Sequence, residues 1–184
     1  VVAERVSFAP QPQSAMTIID QHTGYVKAII GGRGTKTASL TLNRATDSTR
    51  QPGSTFKIVS TYAAALNEKG MTLATTYEDQ PITYDNGAPV NNASGSFNGT
   101  TTIRTVAVQC FEDVTPELGL KYLDNFGFTT LAHGTEADTD ANGNVYTDAN
   151  LPTALGGLTY GVKNVELCAA YAAIANGGNY IKPV

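Results

Sequence analysis

Ser54 and Lys57 are the two residues of this sequence whose types and spacing best suit nucleophilic chemistry. Residues three apart share one face of a helix, so the lysine amine would lie one turn beyond the serine hydroxyl. A serine becomes a nucleophile when a neighbouring base takes its proton, and a lysine that has lost part of its hydration can be that base. A helix-capping serine followed by a solvated lysine has the same spacing, so the pair alone leaves both roles open.

The residues around Ser54 predict the helix that would position this pair. A Pro-Gly dipeptide interrupts the chain just before it. Apolar residues then recur at helical spacing as far as position 66, and Gly70 ends the pattern. We therefore predict a helix over 54–67, and the partial positive charge at its N-terminus would favour an alkoxide on Ser54.

The wider sequence resembles the penicillin-binding transpeptidases. The run 50–57, Arg-Gln-Pro-Gly-Ser-Thr-Phe-Lys, is similar to their nucleophile motif, and Ser-x-x-Lys is shared by the serine acyltransferases that react with β-lactams. Other stretches similar to the family lie at 16–33, 42–45, 97–104 and 155–183. The Gly-Gly-Arg at 31–33 favours the class A enzymes, which also carry a glycosyltransferase domain.

This resemblance implies an α/β (α+β) fold, in which helices flank an antiparallel sheet and the nucleophile helix is buried. It implies a D,D-transpeptidase that cross-links peptidoglycan stem peptides, with Ser54 as nucleophile and Lys57 as its base, and with β-lactams acylating the same serine. It also implies an extracytoplasmic location, with membrane anchoring through a segment absent from this chain. No cofactor or metal is implied.

Two motifs of that family are not found. Its Lys-Thr-Gly strand would fall beyond Val184, so we interpret residues 1–184 as a partial transpeptidase domain that leaves a sheet edge unpaired. Where its Ser-x-Asn motif is expected, the chain has Cys110-Phe111-Glu112. Either Cys110 and Glu112 replace the motif residues, or a gap near Gln109 has removed the motif. The gap is favoured, because the Val- and Ala-rich segment from position 106 reads as a buried helix cut short.

These departures leave two other functions open. The chain could be a non-catalytic fragment or a degenerate relative that acts as an interaction module, and on its own it is expected to form no long-lived penicilloyl adduct. A β-lactamase fits less well, because the opening hairpin and the Gly-Gly-Arg are closer to the transpeptidases.

Composition and charge exclude other classes of function. The net charge is −4, only 15% of residues are charged and there is no basic run, so nucleic acid is not an expected partner. No apolar run approaches the roughly 18 residues that span a bilayer. Two cysteines, Cys110 and Cys168, and two distant histidines, His22 and His133, predict no metal site, and Cys168 reads as a buried structural thiol.

The run 138–143, Asp-Thr-Asp-Ala-Asn-Gly, has the oxygen ligands and glycine of half a calcium loop. The twelfth position, however, holds Ala149 instead of a bidentate Glu. An acidic hairpin that turns at Asn142-Gly143 accounts for the same residues, and both readings stay open at this point.

The remaining pattern predicts the other elements. Paired strands are expected at 16–19 and 25–30, and short strands or irregular structure over 71–101. A helix over 114–126 would begin with Thr115 as cap and Pro116 in its first turn. A second helix is expected from Asn164, its cap, to Ala175.

Overall fold

The computed structural model describes residues 12–84, 86–92 and 94–184, which form short antiparallel strand pairs around a group of packed helices. The strands are β1 (Met16–Ile19), β2 (Val26–Ile30), β3 (Thr49–Arg50), β4 (Thr76–Asp79), β5 (Ile82–Thr83), β6 (Pro89–Val90), β7 (Gly99–Thr102) and β8 (Val162–Lys163). The α-helices are α1 (Ala63–Glu68), α2 (Ala107–Val114), α3 (Pro116–Asn125) and α4 (Asn164–Ala175). None of the helices in these ranges is long and apolar enough to cross a membrane.

The opening hairpin is formed as predicted. β1 and β2 pair antiparallel from Met16 opposite Ile30 to Ile19 opposite Val26, with an irregularity between Ile18 and Ile19. On the far side of β2, the chain returns as an extended segment whose residue 184 exchanges backbone hydrogen bonds with residues 24 and 26 at 3.1 and 3.0 Å. Within the described residues, β1 pairs with β2 alone.

The helix predicted over 54–67 is present as a continuous helical segment over 53–68, but only its last part is α-helical. A 3₁₀ turn, Gly53–Phe56, leads into a π-helical stretch, Ile58–Tyr62, and then into α1. The Ser60 hydroxyl donates to the Phe56 carbonyl at 3.0 Å, a local bond that competes with regular helical pairing. π-Helical turns are often found at functional sites, and this one lies directly after Lys57.

This helical segment runs between two apolar clusters, which explains its burial. Phe56 and Val59 belong to a cluster with α3 and α4, in which the rings of Phe56 and Phe128 meet edge to face at 5.1 Å between centroids. Ala64 and Ala65 belong to a second cluster, which contains Phe111 of α2. The expectation that the nucleophile helix is buried is therefore confirmed.

The helix predicted over 114–126 is formed by α3, and the segment from position 106 forms the separate helix α2. α2 ends at Val114, Thr115 adopts a positive φ of 72°, and α3 begins at Pro116. The Thr115 side chain accepts a hydrogen bond from Leu118 N at 3.4 Å, so the predicted cap is confirmed. The final helix ends at Ala175 as predicted but begins one residue earlier than expected, since Lys163 and not Asn164 occupies the cap position.

Candidate active site

The turn that leads into Ser54 is held by a distant segment of the chain. The Gln51 side chain donates to the Leu158 carbonyl at 2.6 Å and accepts from Leu158 N at 2.8 Å. The short β3–β8 pair adds backbone contacts between Arg50 and Val162. Residues 155–163 therefore clamp the chain immediately before Ser54.

Two glycines of this segment allow the backbones to meet closely. Gly156, at φ 74°, lies so near Gly53 that an added Cβ would be 2.6 Å from its nitrogen. Gly161, at φ 73°, similarly lies against Arg50, with 2.6 Å from an added Cβ to the carbonyl carbon. Any side chain at either position would push the turn that carries Ser54.

Ser54 and Lys57 are brought to one cavity, as their spacing predicts. Ser54 is the second residue of the 3₁₀ turn, and Lys57 N donates to the Ser54 carbonyl. Both residues line a cavity of about 430 Å³. Ser54 is exposed and Lys57 is half-buried, so a ligand in the cavity can reach the hydroxyl while part of the lysine's hydration is removed.

Three separate segments form the rest of this cavity. A loop made of residues 91–92 and 94–98, which we name the cleft loop, forms one wall together with Asp79 at the end of β4. The first turn of α2 contributes Ala107, Val108 and Gln109. Arg104 also lines the cavity, so its guanidinium can pair with an anionic group of a ligand.

Cys110 does not belong to this cavity. Its side chain is fully buried in the second apolar cluster, near the Tyr77 hydroxyl, and burial raises the pKa of the thiol to about 11. α2 runs without interruption through Gln109 and Cys110. The ungapped interpretation, in which Cys110 replaces a motif serine at the cleft, therefore does not match its position here.

The acidic run at 138–143 forms a hairpin. Thr139 bridges Val145, and Gly143 N donates to the Asp140 carbonyl at the turn. The Asp138 carboxylate accepts hydrogen bonds from the backbone N–H groups of His133 and Thr135 and is thus already engaged. Among the described residues no group of His, Cys, Asp and Glu has the arrangement of a metal site.

Asp79, Asn91 and Asn92 line the cavity but were not singled out from the sequence. They lie in the polar stretch 71–101, where no hydrophobic period indicates which side chains point inward. The one usable signal was the adjacent resemblance at 97–104, which ends in Arg104. Which other residues line the cavity is determined by contacts between residues far apart in sequence.

The geometry agrees with comparisons to known proteins. The profile of the penicillin binding protein transpeptidase domain family matches residues 14–184. The chain belongs to this family. Penicillin-binding protein 1A of Clostridium tetani is 31% identical over 189 residues, covering 95% of this chain and 23% of that protein. The protein of the same name from Neisseria meningitidis serogroup A is 33% identical over 183 residues, covering 92% and 20%.

Solved structures of penicillin-binding proteins share the fold. Penicillin-binding protein 1A of Haemophilus influenzae superposes with a TM-score of 0.72 and 26% identity, over 94% of this chain and 25% of that one. PonA1 of Mycobacterium tuberculosis, solved in complex with penicillin V, has a TM-score of 0.69 and 24% identity, over 93% and 46%. The transpeptidase chain thus spans about a fifth to a quarter of the length of its curated relatives.

Proposed function

We propose that this chain is part of a peptidoglycan D,D-transpeptidase that works through an acyl-enzyme on Ser54. The observation that carries the proposal is that Ser54 and Lys57 line the same cavity, at the start of a buried helical segment. Family membership supplies the substrate class, which is the D-Ala-D-Ala end of a stem peptide. β-Lactams would inhibit by mimicking that end and acylating the same hydroxyl.

The acylation step follows from the positions of the two side chains. Lys57 takes the proton of the Ser54 hydroxyl while the oxygen attacks the carbonyl carbon of the penultimate D-Ala. The N–H of Ser54 is among the first N–H groups of its helix, which have no intrahelical acceptor, and stabilises the oxyanion. The peptide bond then breaks, and the terminal D-Ala leaves with the proton held by Lys57.

Transfer to the second strand reverses these roles. An amine of a neighbouring stem peptide attacks the ester carbonyl, and Lys57 accepts a proton from that amine. The ester bond to Ser54 breaks, Lys57 returns that proton to the Ser54 oxygen, and a new peptide bond joins the two strands. Arg104, which also lines the cavity, favours the carboxylate-bearing donor peptide.

Labelling of the full-length protein with a fluorescent penicillin tests this proposal. Ser54→Ala should abolish labelling, because the nucleophile is lost. Lys57→Met should abolish it as well while the fold is kept, since the apolar stem is retained and only the amine is removed. Ser48→Ala and Lys69→Met are matched controls outside the cavity and should label normally. Ser54→Ala that still labels at the wild-type rate would refute the assignment.

A non-catalytic role of the chain as given is the second candidate, and one observation favours it. The α2 turn that lines the same cavity as Ser54 consists of Ala107, Val108 and Gln109, and it contains neither the serine nor the asparagine of a Ser-x-Asn pattern. Intact-mass spectrometry after incubation with penicillin separates the two candidates. A stoichiometric adduct on a protein of these 184 residues would exclude the non-catalytic role, whereas no adduct would support it.

A further inference from the structure

Asp79 is a buried carboxylate next to the Ser54 cavity that the proposed chemistry does not use. It is 3% exposed and ends strand β4. Oδ1 accepts a hydrogen bond from Asn92 Nδ2 at 2.9 Å. Oδ2 accepts from Asn92 Nδ2 at 2.9 Å, from Asn98 N at 2.9 Å and from Asn98 Nδ2 at 3.2 Å. The side-chain amide of Asn92 and the N–H of Asn98 accordingly hold the pKa of this carboxyl below its ordinary value.

These bonds fasten the cleft loop at both of its ends. Asp79 pairs with Gly99 across β4 and β7, so the loop leaves and re-enters the structure beside this carboxylate. Asn92 also connects Asp79 to the middle of the cleft loop, since its Nδ2 donates to the Ser96 carbonyl at 3.1 Å. The Ser94 hydroxyl donates to the same carbonyl at 3.1 Å. One buried acid thus organises a loop that has almost no apolar residues to hold it.

The face of this loop that meets the cavity combines amides with one aromatic ring. Asn91, Asn92 and Ser94 line the cavity together with Phe97, whose side chain is 40% exposed. An exposed ring flanked by amide groups suits a peptide, which offers both apolar side chains and backbone hydrogen-bonding groups. A bicyclic β-lactam nucleus is much smaller than a stem peptide and needs less of this wall.

We propose that Asp79 is a positioning residue that holds the cleft loop as a peptide-binding wall, and that Asn91 and Phe97 on this wall contact the part of the stem peptide that precedes its D-Ala residues. This inference rests on the proposed transpeptidase function. It separates two tasks within one cavity. Ser54 and Lys57 carry out acylation, and the wall selects the long peptide donor.

Asp79→Asn tests the attachment with little change in shape. The remaining oxygen can still accept from Asn98 and from Asn92 Nδ2, but the new NH₂ group in place of Oδ1 cannot accept the second bond from Asn92. The bonds that remain also lose the negative charge that strengthens them, so the cleft loop is held less firmly. We expect the ratio kcat/KM for a stem-peptide thioester to fall about tenfold or more, mainly through KM, because remote binding contacts are lost. The rate of penicillin labelling at Ser54 should change less than about threefold, because the small drug does not use those contacts.

Asp138→Asn in the full-length protein is the matched control. Asp138 is 7% exposed and also accepts from backbone N–H groups, but it is not among the residues that line the Ser54 cavity. Asp138→Asn should leave the ratio of kcat/KM for the stem-peptide thioester to the rate of penicillin labelling at the wild-type value. If Asp79→Asn fails to fold, Phe97→Ala replaces it, because truncating an exposed ring removes the peptide contact without opening the core.

The outcomes are distinct. A selective loss of the peptide reaction in Asp79→Asn or Phe97→Ala supports the inference. Equal losses in both reactions, or no loss in either, overturn it while leaving the transpeptidase assignment in place. A wild-type protein that is not labelled at Ser54 overturns both.

Discussion

Gly156 provides the sharpest test of how the fold positions Ser54. It adopts φ 74° and ψ 28° at the end of the 3₁₀ turn Leu151–Leu155. A Cβ added there would lie 2.6 Å from the nitrogen and 2.9 Å from the carbonyl carbon of Gly53, and closer still to its oxygen. All three are backbone atoms of the residue that precedes Ser54, so they cannot move without moving Ser54.

The size of the effect of Gly156→Ala follows from these distances. Relief of the 2.6 Å contact to an ordinary 3.4 Å requires a shift of about 0.8 Å. A misplacement of about 1 Å can cost about 10²-fold in rate, so we expect penicillin acylation to slow by about that factor. The left-handed backbone costs an alanine about 1–2 kcal/mol and overpacking about 1–3 kcal/mol, so the free energy of unfolding should fall by about 2–5 kcal/mol.

A time course of penicillin labelling of the full-length protein measures the acylation rate, and thermal unfolding of the same protein measures the loss of stability. Gly143→Ala is the matched control, because Gly143 has φ 84° but no heavy atom within 4 Å of an added Cβ. It should show the backbone strain alone and acylate normally. The reasoning is refuted if folded Gly156→Ala acylates at the wild-type rate, or if Gly143→Ala loses as much acylation.

Further predictions concern the body of the domain and the acidic hairpin. Gly119→Ala should lower the free energy of unfolding by about 1–3 kcal/mol in denaturant titrations, because its Cβ would lie 2.6 Å from Cζ of the fully buried Phe111 ring; a stabilised variant would contradict this packing. Cys110 should resist alkylation at pH 8 in the native state and react rapidly once unfolded, because its pKa of about 11 leaves little thiolate. Side-chain and backbone N–H groups of Asn144 lower the pKa of Asp140 to about 2. The stabilisation that these hydrogen bonds give the hairpin should therefore be complete above about pH 4 and lost as the pH falls towards 2. The chemical shifts of the Asn144 amide groups, measured in a pH titration, would report this loss. Calcium, compared with a chelator, should leave Tm unchanged.

The parts of this structure that could be predicted from sequence are those set by short-range rules. Three-residue spacing was enough to place Ser54 and Lys57 on one face. Thr115 followed by Pro116 was enough to predict a helix start, because the cap bond and the fixed proline φ are local. The Asn142-Gly143 turn was also predictable from local sequence.

What could not be predicted depends on contacts between distant segments. The π-helical stretch Ile58–Tyr62 has the same apolar period as an α-helix, and its packing against Gly119 of α3 is not visible in that period. The approach of Gly156 to Gly53 and the attachment of Asn92 to Asp79 likewise join segments whose local patterns say nothing of each other. These are the contacts that give the cavity its shape.

The phase of α2 shows why residue type at one position cannot decide the chemistry of this cleft. The first turn of α2 presents Gln109 to the cavity, and one residue later the chain has rotated by about 100°, so Cys110 points into the apolar cluster. Cys110→Ser would therefore bury a hydroxyl among apolar side chains and supply nothing to Ser54. A hydroxyl that α2 is to offer to the substrate would have to come from the turn that ends at Gln109, or from an insertion that changes the phase of the helix.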